Sequence, residues 1–299
     1  MLTPATVRPP SVMHAHLVNI IATEVRRWES GRRLRILDVG CGDGRFLGFA
    51  HQRLPVLTGR SVEVYGFDVS DSGLQRSDFF ARTIDRLKDI DSDVDWTGRL
   101  HQITSADPWP FADGAVDVVV SNQVGEHVRE IGRFLAEAAR VTQPGGFSAH
   151  VFPLRSYTVE GHTGIPFAHR ILSHDLRETY MRAVVKMGLG VGGPLARRPG
   201  ESISAFATTR SDYVSFETSY HTWRQLADAA CGAGWRPSYR YTPNVYLLKA
   251  AYLAGKDLAS FYHRPRPMLD AVSFRPLSYV SSVTIFLERE NIFDADAIC

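Results

Sequence analysis

The chain has 299 residues, of which 44% are hydrophobic and 22% are charged, and its formal net charge is +2. These values predict a soluble globular chain with one large domain, or one domain that carries a sizeable insertion. The small net charge argues against strong attraction to nucleic acid or to an anionic membrane. The three cysteines form no CxxC pair and no metal-ligand spacing. No disulfide framework, signal peptide or membrane span is therefore expected, which favours a cytoplasmic location.

Apolar runs alternate with amphipathic segments along the first half of the chain. In chain order the predicted elements are a helix capped by Ser11, a strand at 34–39, a helix at 46–54, a strand at 62–67, a helix at 73–87, a strand at 99–103, a strand at 116–120, a helix at 128–141, a turn at 144–146 and a strand at 147–152. Strands that alternate with helices predict a parallel sheet with right-handed crossovers. Ligands of such sheets bind beyond the carboxyl ends of the strands.

The alternation breaks from about residue 153 to 219, a stretch rich in His, Gly, Pro and Arg with one predicted helix at 175–187. A segment this long between sheet elements is typical of a functional lid or a disordered insert. Regular structure returns with a helix at 222–233, a strand at 236–241, a helix at 246–261 and a strand at 280–287. We therefore expect an N-terminal helix (1–30), a cofactor-binding core (31–152), an inserted lid or acceptor segment (153–219) and the C-terminal part of the core (220–299).

A glycine-rich turn follows the first predicted strand in ILDVGCGDGRFL. Gly40, Gly42 and Gly44 permit positive φ angles and let a ligand approach bare backbone. The next helix directs its N-terminal amides at the same place. A dinucleotide loop G-x-G-x-x-G would need glycine or alanine at position 45, where this chain has Arg45. The turn therefore favours a ligand without a tightly packed pyrophosphate.

Two aspartates follow the next strands. Asp68 ends the second strand, where a carboxylate can accept both hydroxyls of a ribose; the alternative is a helix cap or a solvated turn residue. Asp107 lies in SADPWPF, where it can accept from an adenine amino group. A turn aspartate before proline is an almost equal alternative for Asp107.

Four ordered motifs, ILDVGCGDG, GFDVS, SADPWPFADGAVDVVVSNQVGEHV and VTQPGG, resemble those of class I S-adenosylmethionine-dependent methyltransferases over residues 35–152. The resemblance implies an α/β fold: a doubly wound, mostly parallel seven-stranded Rossmann-like sheet, with an insertion after strand five. It also implies S-adenosyl-L-methionine as cofactor. The implied cofactor contacts are Asp38, Gly40, Cys41 and Gly42 at the amino acid end, Asp68 and its neighbour Val69 at the ribose, Asp107 at the adenine, and Asn122 and Gln123 beneath the sulfonium. Because the stretch from Asp107 to Phe111 is shorter than is common in the family, the backbone of Ser105 or Ala106 is a further candidate for the adenine contact.

The tip of the fourth strand, SNQV, resembles neither the motif of enzymes that methylate base amines nor that of cytosine C5 enzymes. Nothing resembles the carboxylate cluster of metal-dependent catechol methyltransferases, so no metal is expected. An alcohol acceptor benefits from a general base that titrates near pH 7, and histidine fits that role. Glu126 and His127 resemble an acid–histidine pair that lies near the methyl group in several small-molecule members. A structural pair that caps the next helix is an equal alternative.

Three more histidines compete for a role. His162 and His169 lie in EGHTGIPFAHR, where the glycines predict a loop able to fold over the site; an ordinary loop histidine is the alternative. His221 is expected to face solvent or cap a helix. The catalytic candidates are therefore His127, Glu126 and His162.

The short EGHTGIPFAHR stretch loosely resembles inserts in bacterial methyltransferases that act on surface glycans and sugar-bearing metabolites. The prediction is O-methylation of a hydroxyl on a sugar, a glycan or another polar small molecule, with no nucleic-acid partner and an undetermined oligomeric state. The alternatives are N- or C-methylation of a small metabolite and a non-catalytic cofactor-binding scaffold. A nicotinamide-dependent dehydrogenase is less favoured because of Arg45.

Overall fold

A computed structural model describes residues 8–29, 31–71, 79–188, 192–256, 258 and 263–289. The strands are β1 (Leu34–Val39), β2 (Val62–Val69), β3 (Leu100–Ile103), β4 (Val116–Asn122), β5 (Thr142–Phe152), β6 (Trp235–Ser238) and β7 (Val283–Arg289). The α-helices are α1 (Val12–Glu24), α2 (Arg45–Thr58), α3 (Phe79–Ile90), α4 (Trp96–Arg99), α5 (Ile131–Val141), α6 (His174–Lys186), α7 (Ile203–Phe216), α8 (Trp223–Gly232), α9 (Thr242–Leu253) and α10 (Pro267–Leu277).

The seven strands form one sheet in the order β3-β2-β1-β4-β5-β7-β6. The first five strands pair in parallel, whereas β7 runs antiparallel to both β5 and β6. This arrangement confirms the predicted doubly wound, mostly parallel sheet. Because β1 pairs with β2 on one side and β4 on the other, the strand order reverses there, and in sheets of this kind ligands bind at the carboxyl ends of the strands at that point.

The central strands carry near-continuous apolar residues because both faces of the sheet are covered. One buried core lies between the sheet and the helices α1 and α2, and it includes Leu17, Ile21 and Leu47. A second core lies on the other face beneath α5 and α8. Ser11 caps α1 as predicted, because its side chain accepts from the His14 N–H. Among the described residues, no helix is long and apolar enough to cross a membrane.

The segment after β5 holds two helices, not the single helix that the sequence predicted. The helices α6 and α7 pack together around a small core that includes Met181, Phe206 and Val214. The guanidinium of Arg177 is buried in this unit and donates to the carbonyl oxygens of Ile171 and others. The segment is therefore a packed helical insertion; the division of the chain into four parts stays a prediction.

Two smaller features differ from the sequence prediction. The predicted turn at 144–146 belongs to β5, where a register shift opposite β4 accommodates the extra residues. The helix α10 was not predicted. Cys231 is disulfide-bonded, whereas Cys41 is a free thiol. The predicted start of the helix at 73–87 lies outside the described residues.

Candidate active site

The glycine-rich turn joins β1 to α2 and takes the left-handed backbone conformations that its sequence predicts. The φ angles are +67° at Gly40, +51° at Gly42 and +73° at Gly44. The amides of Gly40 and Cys41 both donate to the Phe67 carbonyl, at 2.9 and 3.1 Å. A Cβ added to Gly40 would lie 2.5 Å from Cγ2 of Val124. The turn is thus held between the end of β2 and the loop after β4.

Two buried carboxylates lie beside this turn. Asp38 pairs in register with Gly66 of β2, and Asp68 follows near the end of β2. One oxygen of Asp68 accepts from the Gly42 amide and the other from the Val69 amide, both at 2.8 Å. Burial, and then the nearby Asp68 charge, raise the pKa of the Asp38 carboxyl well above its usual range. Such a carboxyl gains most from a positively charged partner.

Cys41 lies in the same turn with its thiol buried. Burial and the neighbouring aspartates raise the pKa of this thiol well above its usual value. The thiolate is the nucleophilic form of cysteine, so this environment is typical of an inert residue. The side chain is therefore unsuited to nucleophilic chemistry, and the backbone is what Cys41 can offer a ligand.

Asp107 lies at the turn after β3. Its carboxylate accepts from the backbone amide and the hydroxyl of Thr104, at 2.7 and 2.8 Å. These bonds hold the pKa of Asp107 below its usual value. The Ser105 amide donates to Asp71, and the Ala106 carbonyl accepts from Arg133. Asp107 thus has the turn-stabilising contacts that the sequence allowed as an alternative; a contact to adenine stays a prediction.

The tip of β4 carries two candidate residues with different surroundings. The side-chain oxygen of Asn122 is buried and has no hydrogen-bond partner among the described residues. Gln123 adopts a φ of +57°, and its backbone amide donates to the Val151 carbonyl. Its side-chain amide donates to the hydroxyl of Ser282 at 2.9 Å. Asn122 therefore keeps an acceptor available for a ligand, whereas Gln123 ties the tip of β4 to its neighbours in the sheet.

The three catalytic candidates meet in one cluster. Glu126 and His127 lie in a short 3₁₀ turn after β4, and His162 comes from the inserted segment. The rings of His127 and His162 lie edge to face with centroids 5.0 Å apart. Glu126 is only 1% exposed, and burial raises the pKa of its carboxyl to about 8.

The pKa values of the two histidines in this cluster are shifted in opposite directions. The Nδ1 atom of His127 lies 2.6 Å from the Glu217 carbonyl, which can only accept, so Nδ1 carries the proton. Burial lowers the pKa of His127, which keeps its ring neutral with a lone pair on Nε2. Burial opposes protonation of His162 as well, but the Glu160 carboxylate at 2.8 Å from Nδ1 raises the pKa of this imidazole.

The other two histidines have structural contacts. Nε2 of His169 lies 3.2 Å from the Arg155 carbonyl, and its ring lies against the ring of Tyr220. His221 is only 7% exposed, and its Nε2 donates to the Val128 carbonyl at 2.7 Å. The expectation that His221 faces solvent or caps a helix is therefore wrong. The cap of α8 is Thr222, which forms a capping box with Gln225.

Sequence reasoning missed Glu160, which organises one side of the cluster. Its carboxylate is buried and accepts from the Tyr220 hydroxyl at 2.7 Å and the Thr163 amide at 2.7 Å. Burial opposes its ionisation, but these bonds and the adjacent imidazole lower the pKa of Glu160 to about 2. The signal was present in EGHTG, where an acid lies two positions before His162.

Part of this chain is similar to known methyltransferases. Residues 37–149 match the model of a methyltransferase domain family. An uncharacterised methyltransferase from Mycolicibacterium gilvum is 36% identical over 73 residues, which cover 24% of this chain and 28% of that protein. The ubiquinone biosynthesis O-methyltransferase of Mesorhizobium japonicum is 30% identical over 113 residues, which cover 38% of each chain. This chain thus spans well under half the length of these two relatives.

Among solved structures, the geranyl diphosphate C-methyltransferase of Streptomyces coelicolor A3(2) aligns with a TM-score of 0.47 and 15% identity, covering 93% of this chain and 75% of that chain. The strand order of the sheet and the glycine-rich turn after β1 are the features that the sequence predicted for a methyltransferase fold. Residues 37–149 therefore form a methyltransferase domain of the class I S-adenosylmethionine-dependent type, which is the type that the sequence motifs predicted. The predicted family and cofactor are confirmed.

Proposed function

We propose that this protein transfers the methyl group of S-adenosylmethionine to a hydroxyl oxygen of a polar small molecule or glycan. The observation that carries the oxygen acceptor is the tautomer of His127. Because Nδ1 donates to the Glu217 carbonyl, Nε2 is left as a proton acceptor beside the end of β4. An alcohol must lose its proton during transfer, whereas a free amine need not, so a positioned neutral imidazole favours oxygen over nitrogen.

We infer that the cofactor lies over the glycine-rich turn at the carboxyl ends of β1, β2 and β4. The sulfonium and the amine of S-adenosylmethionine supply the positive charge that the buried Asp38 carboxyl lacks. The carboxylate of Asp68 lies at the end of β2 and accepts from two backbone amides of the turn region, and a carboxylate at this place suits the hydroxyls of a ribose. The unsatisfied oxygen of Asn122 is a further acceptor for a ligand group.

We propose that the inserted segment forms the acceptor side of the site. His162 belongs to this segment and lies against His127, and Tyr213 of α7 also packs against His162, with ring centroids 5.1 Å apart. Aromatic rings beside polar groups suit the alternating apolar and hydroxylated faces of a sugar. The Mesorhizobium relative is named for O-methylation, which agrees with an oxygen acceptor.

The cofactor half of the proposal is tested by calorimetric titration with S-adenosylmethionine, S-adenosylhomocysteine and NADH. Micromolar binding of the first two is expected, with at least a tenfold loss in Asp68→Ala. The matched control is Asp175→Asn, a carboxylate that is 99% exposed on α6. Binding of NADH alone would overturn the assignment, and equal affinities for both variants would remove Asp68 from the site.

The acceptor half is tested with isotopically labelled methyl donor and a panel of sugars and sugar-bearing metabolites. Product analysis by NMR assigns the methylated atom. We expect a methyl ether, and we expect His127→Gln to lower kcat with unchanged cofactor affinity, while His174→Gln on the exposed face of the insertion leaves kcat unchanged. A product methylated on nitrogen or carbon would refute the oxygen assignment. Tight cofactor binding with no transfer to any acceptor would favour the scaffold alternative.

A further inference from the structure

Three metal-type donor groups from two distant parts of the chain converge in the candidate active site. Glu126, His127 and His162 each offer one ligand atom, and these atoms lie within 4.8 Å of one another. Glu126 and His127 are neighbours, but His162 arrives only through the fold of the inserted segment. The sequence therefore contains no short motif that joins these three ligands, and no metal was expected from it.

The second nitrogen of each imidazole is already fixed. Nδ1 of His127 donates to the Glu217 carbonyl at 2.6 Å, and Nδ1 of His162 lies 2.8 Å from a carboxylate oxygen of Glu160. Histidines that bind metals almost always donate their other N–H to a carboxylate or a backbone carbonyl, which sets the tautomer and the orientation of the ring. Both rings thus have the outer contacts that leave Nε2 as a ligand.

Glu126 supplies an independent observation. Its carboxylate is 1% exposed, and the oxygen Oε2 is buried with no hydrogen-bond partner among the described residues. A buried polar atom without a partner is costly, and native proteins rarely keep one without a function. A cation between this oxygen and the two imidazoles would be the missing partner.

We propose that Glu126, His127 and His162 bind one divalent transition-metal ion of the zinc type, with a coordination position left for the acceptor. Two imidazole nitrogens and one carboxylate suit Zn²⁺ and related ions, whereas Mg²⁺ and Ca²⁺ prefer all-oxygen sites. Three protein ligands with an open fourth position are the arrangement of catalytic zinc sites. The outer residues Glu160 and Glu217 hold the ligands in place.

The role of this ion deepens the proposed function and rests on it, although metal binding itself does not. A hydroxyl oxygen that coordinates the ion loses its proton to water more readily. The alkoxide then forms an O–C bond to the methyl group, while the C–S bond breaks and its electron pair stays on sulfur. In the metal-bound site the Nε2 lone pair of His127 would bind the ion, so water in place of this imidazole would accept the hydroxyl proton. The oxygen acceptor of the proposed function is the same in both cases.

The test uses the full chain, stripped with a chelator and then titrated with ZnCl₂ and CoCl₂. Mass spectrometry measures bound metal, and the visible spectrum of the Co²⁺ form reports its ligands. One equivalent per chain is expected, with at least a tenfold loss of affinity in Glu126→Gln and in His162→Ala. The matched control is His174→Ala in the same inserted segment, whose ring pairs with Asp212 on the surface. The control should bind like the wild type.

Equal metal affinity in all variants, or no stoichiometric binding, would overturn the proposal. If His162→Ala fails to fold, as judged by circular dichroism, Glu160→Gln gives the decision, because losing the outer carboxylate should lower metal affinity roughly ten- to hundredfold without removing a ligand. Cofactor titration separates the two proposals. Metal binding without S-adenosylmethionine binding would refute only the proposed function. Methyl transfer at an unchanged rate by the metal-free chain would refute only the role of the ion in transfer, whereas the metal titration decides whether the site exists.

Discussion

The glycine-rich turn supports a prediction whose size follows from two glycines with nearly the same backbone. Gly40 has a φ of +67° and Gly59, at the C-terminal cap of α2, has a φ of +66°. An alanine at either position pays about 1–2 kcal/mol for the left-handed conformation. Only at Gly40 does the new methyl group meet an obstacle, since its Cβ would lie 2.5 Å from Val124, whereas no atom lies within 4 Å at Gly59.

We therefore expect Gly40→Ala to lose about 1–3 kcal/mol more unfolding free energy than Gly59→Ala, which is the usual cost of forcing a methyl group into a packed site. Urea unfolding followed by circular dichroism measures both. The double variant Gly40→Ala/Val124→Ala should recover part of the excess, because the smaller side chain removes the clash. Titration with S-adenosylmethionine should show weaker binding for Gly40→Ala only. Equal stability losses, or additive effects in the double variant, would refute this explanation of Gly40.

Further predictions concern the interior and the cofactor. Burial lowers the pKa of His150 to about 3. Between pH 6.5 and 3 this side chain therefore binds one more proton in the unfolded chain than in the folded chain. The free energy of unfolding should therefore fall with falling pH in this window, and His150→Gln should reduce that slope by about 1.4 kcal/mol per pH unit in pH-dependent urea titrations; an unchanged slope would contradict it. Arg177→Met should lower the free energy of unfolding by about 3 kcal/mol in the same assay, because it leaves buried carbonyl oxygens without donors. Arg182→Met on the exposed side of α6 should lower it by under about 0.5 kcal/mol. Comparable losses for the two arginines would contradict that reasoning. Asp107→Ala should weaken S-adenosylmethionine binding less than Asp68→Ala in calorimetry, because the Asp107 carboxylate already accepts from the amide and hydroxyl of Thr104. A larger loss of affinity in Asp107→Ala would instead support a contact between Asp107 and the adenine.

The parts of the fold that the sequence predicted are those whose signals are local. The strand at 34–39 was predicted with its observed bounds, because a buried parallel strand needs only a short apolar run that ends in a turn. The glycine-rich turn was equally clear, since positive φ angles restrict the residue type. The helix α7 was missed because its buried side includes Arg210 and Ser211, which obscure the apolar period. Arg210 is tolerated there because it pairs with Glu201, a contact that no sequence window reveals.

The helix α10 was missed for the opposite reason, because apolar residues lie on its exposed side. Met268 is 84% exposed and Val272 is 76% exposed, so apolar residues occupy its solvent-facing side and hide the amphipathic pattern. In the candidate site, the sequence likewise could not predict which side chains lie next to one another. The sequence indicated Glu126, His127 and His162 one by one, but their convergence depends on tertiary contacts that bring the insertion to the end of β4.

Those contacts explain why the insertion and the site form together. The Ser219 amide donates to the Glu126 carbonyl at 2.6 Å, and the Glu217 carbonyl accepts from His127. Each such bond contributes only about 1 kcal/mol to stability, which is little for a segment of this size. Their chemical effect is larger, because one fixes the backbone beside a buried carboxylate and the other sets the tautomer of an imidazole. The insertion therefore supplies His162, and it determines which nitrogen of His127 is available for chemistry.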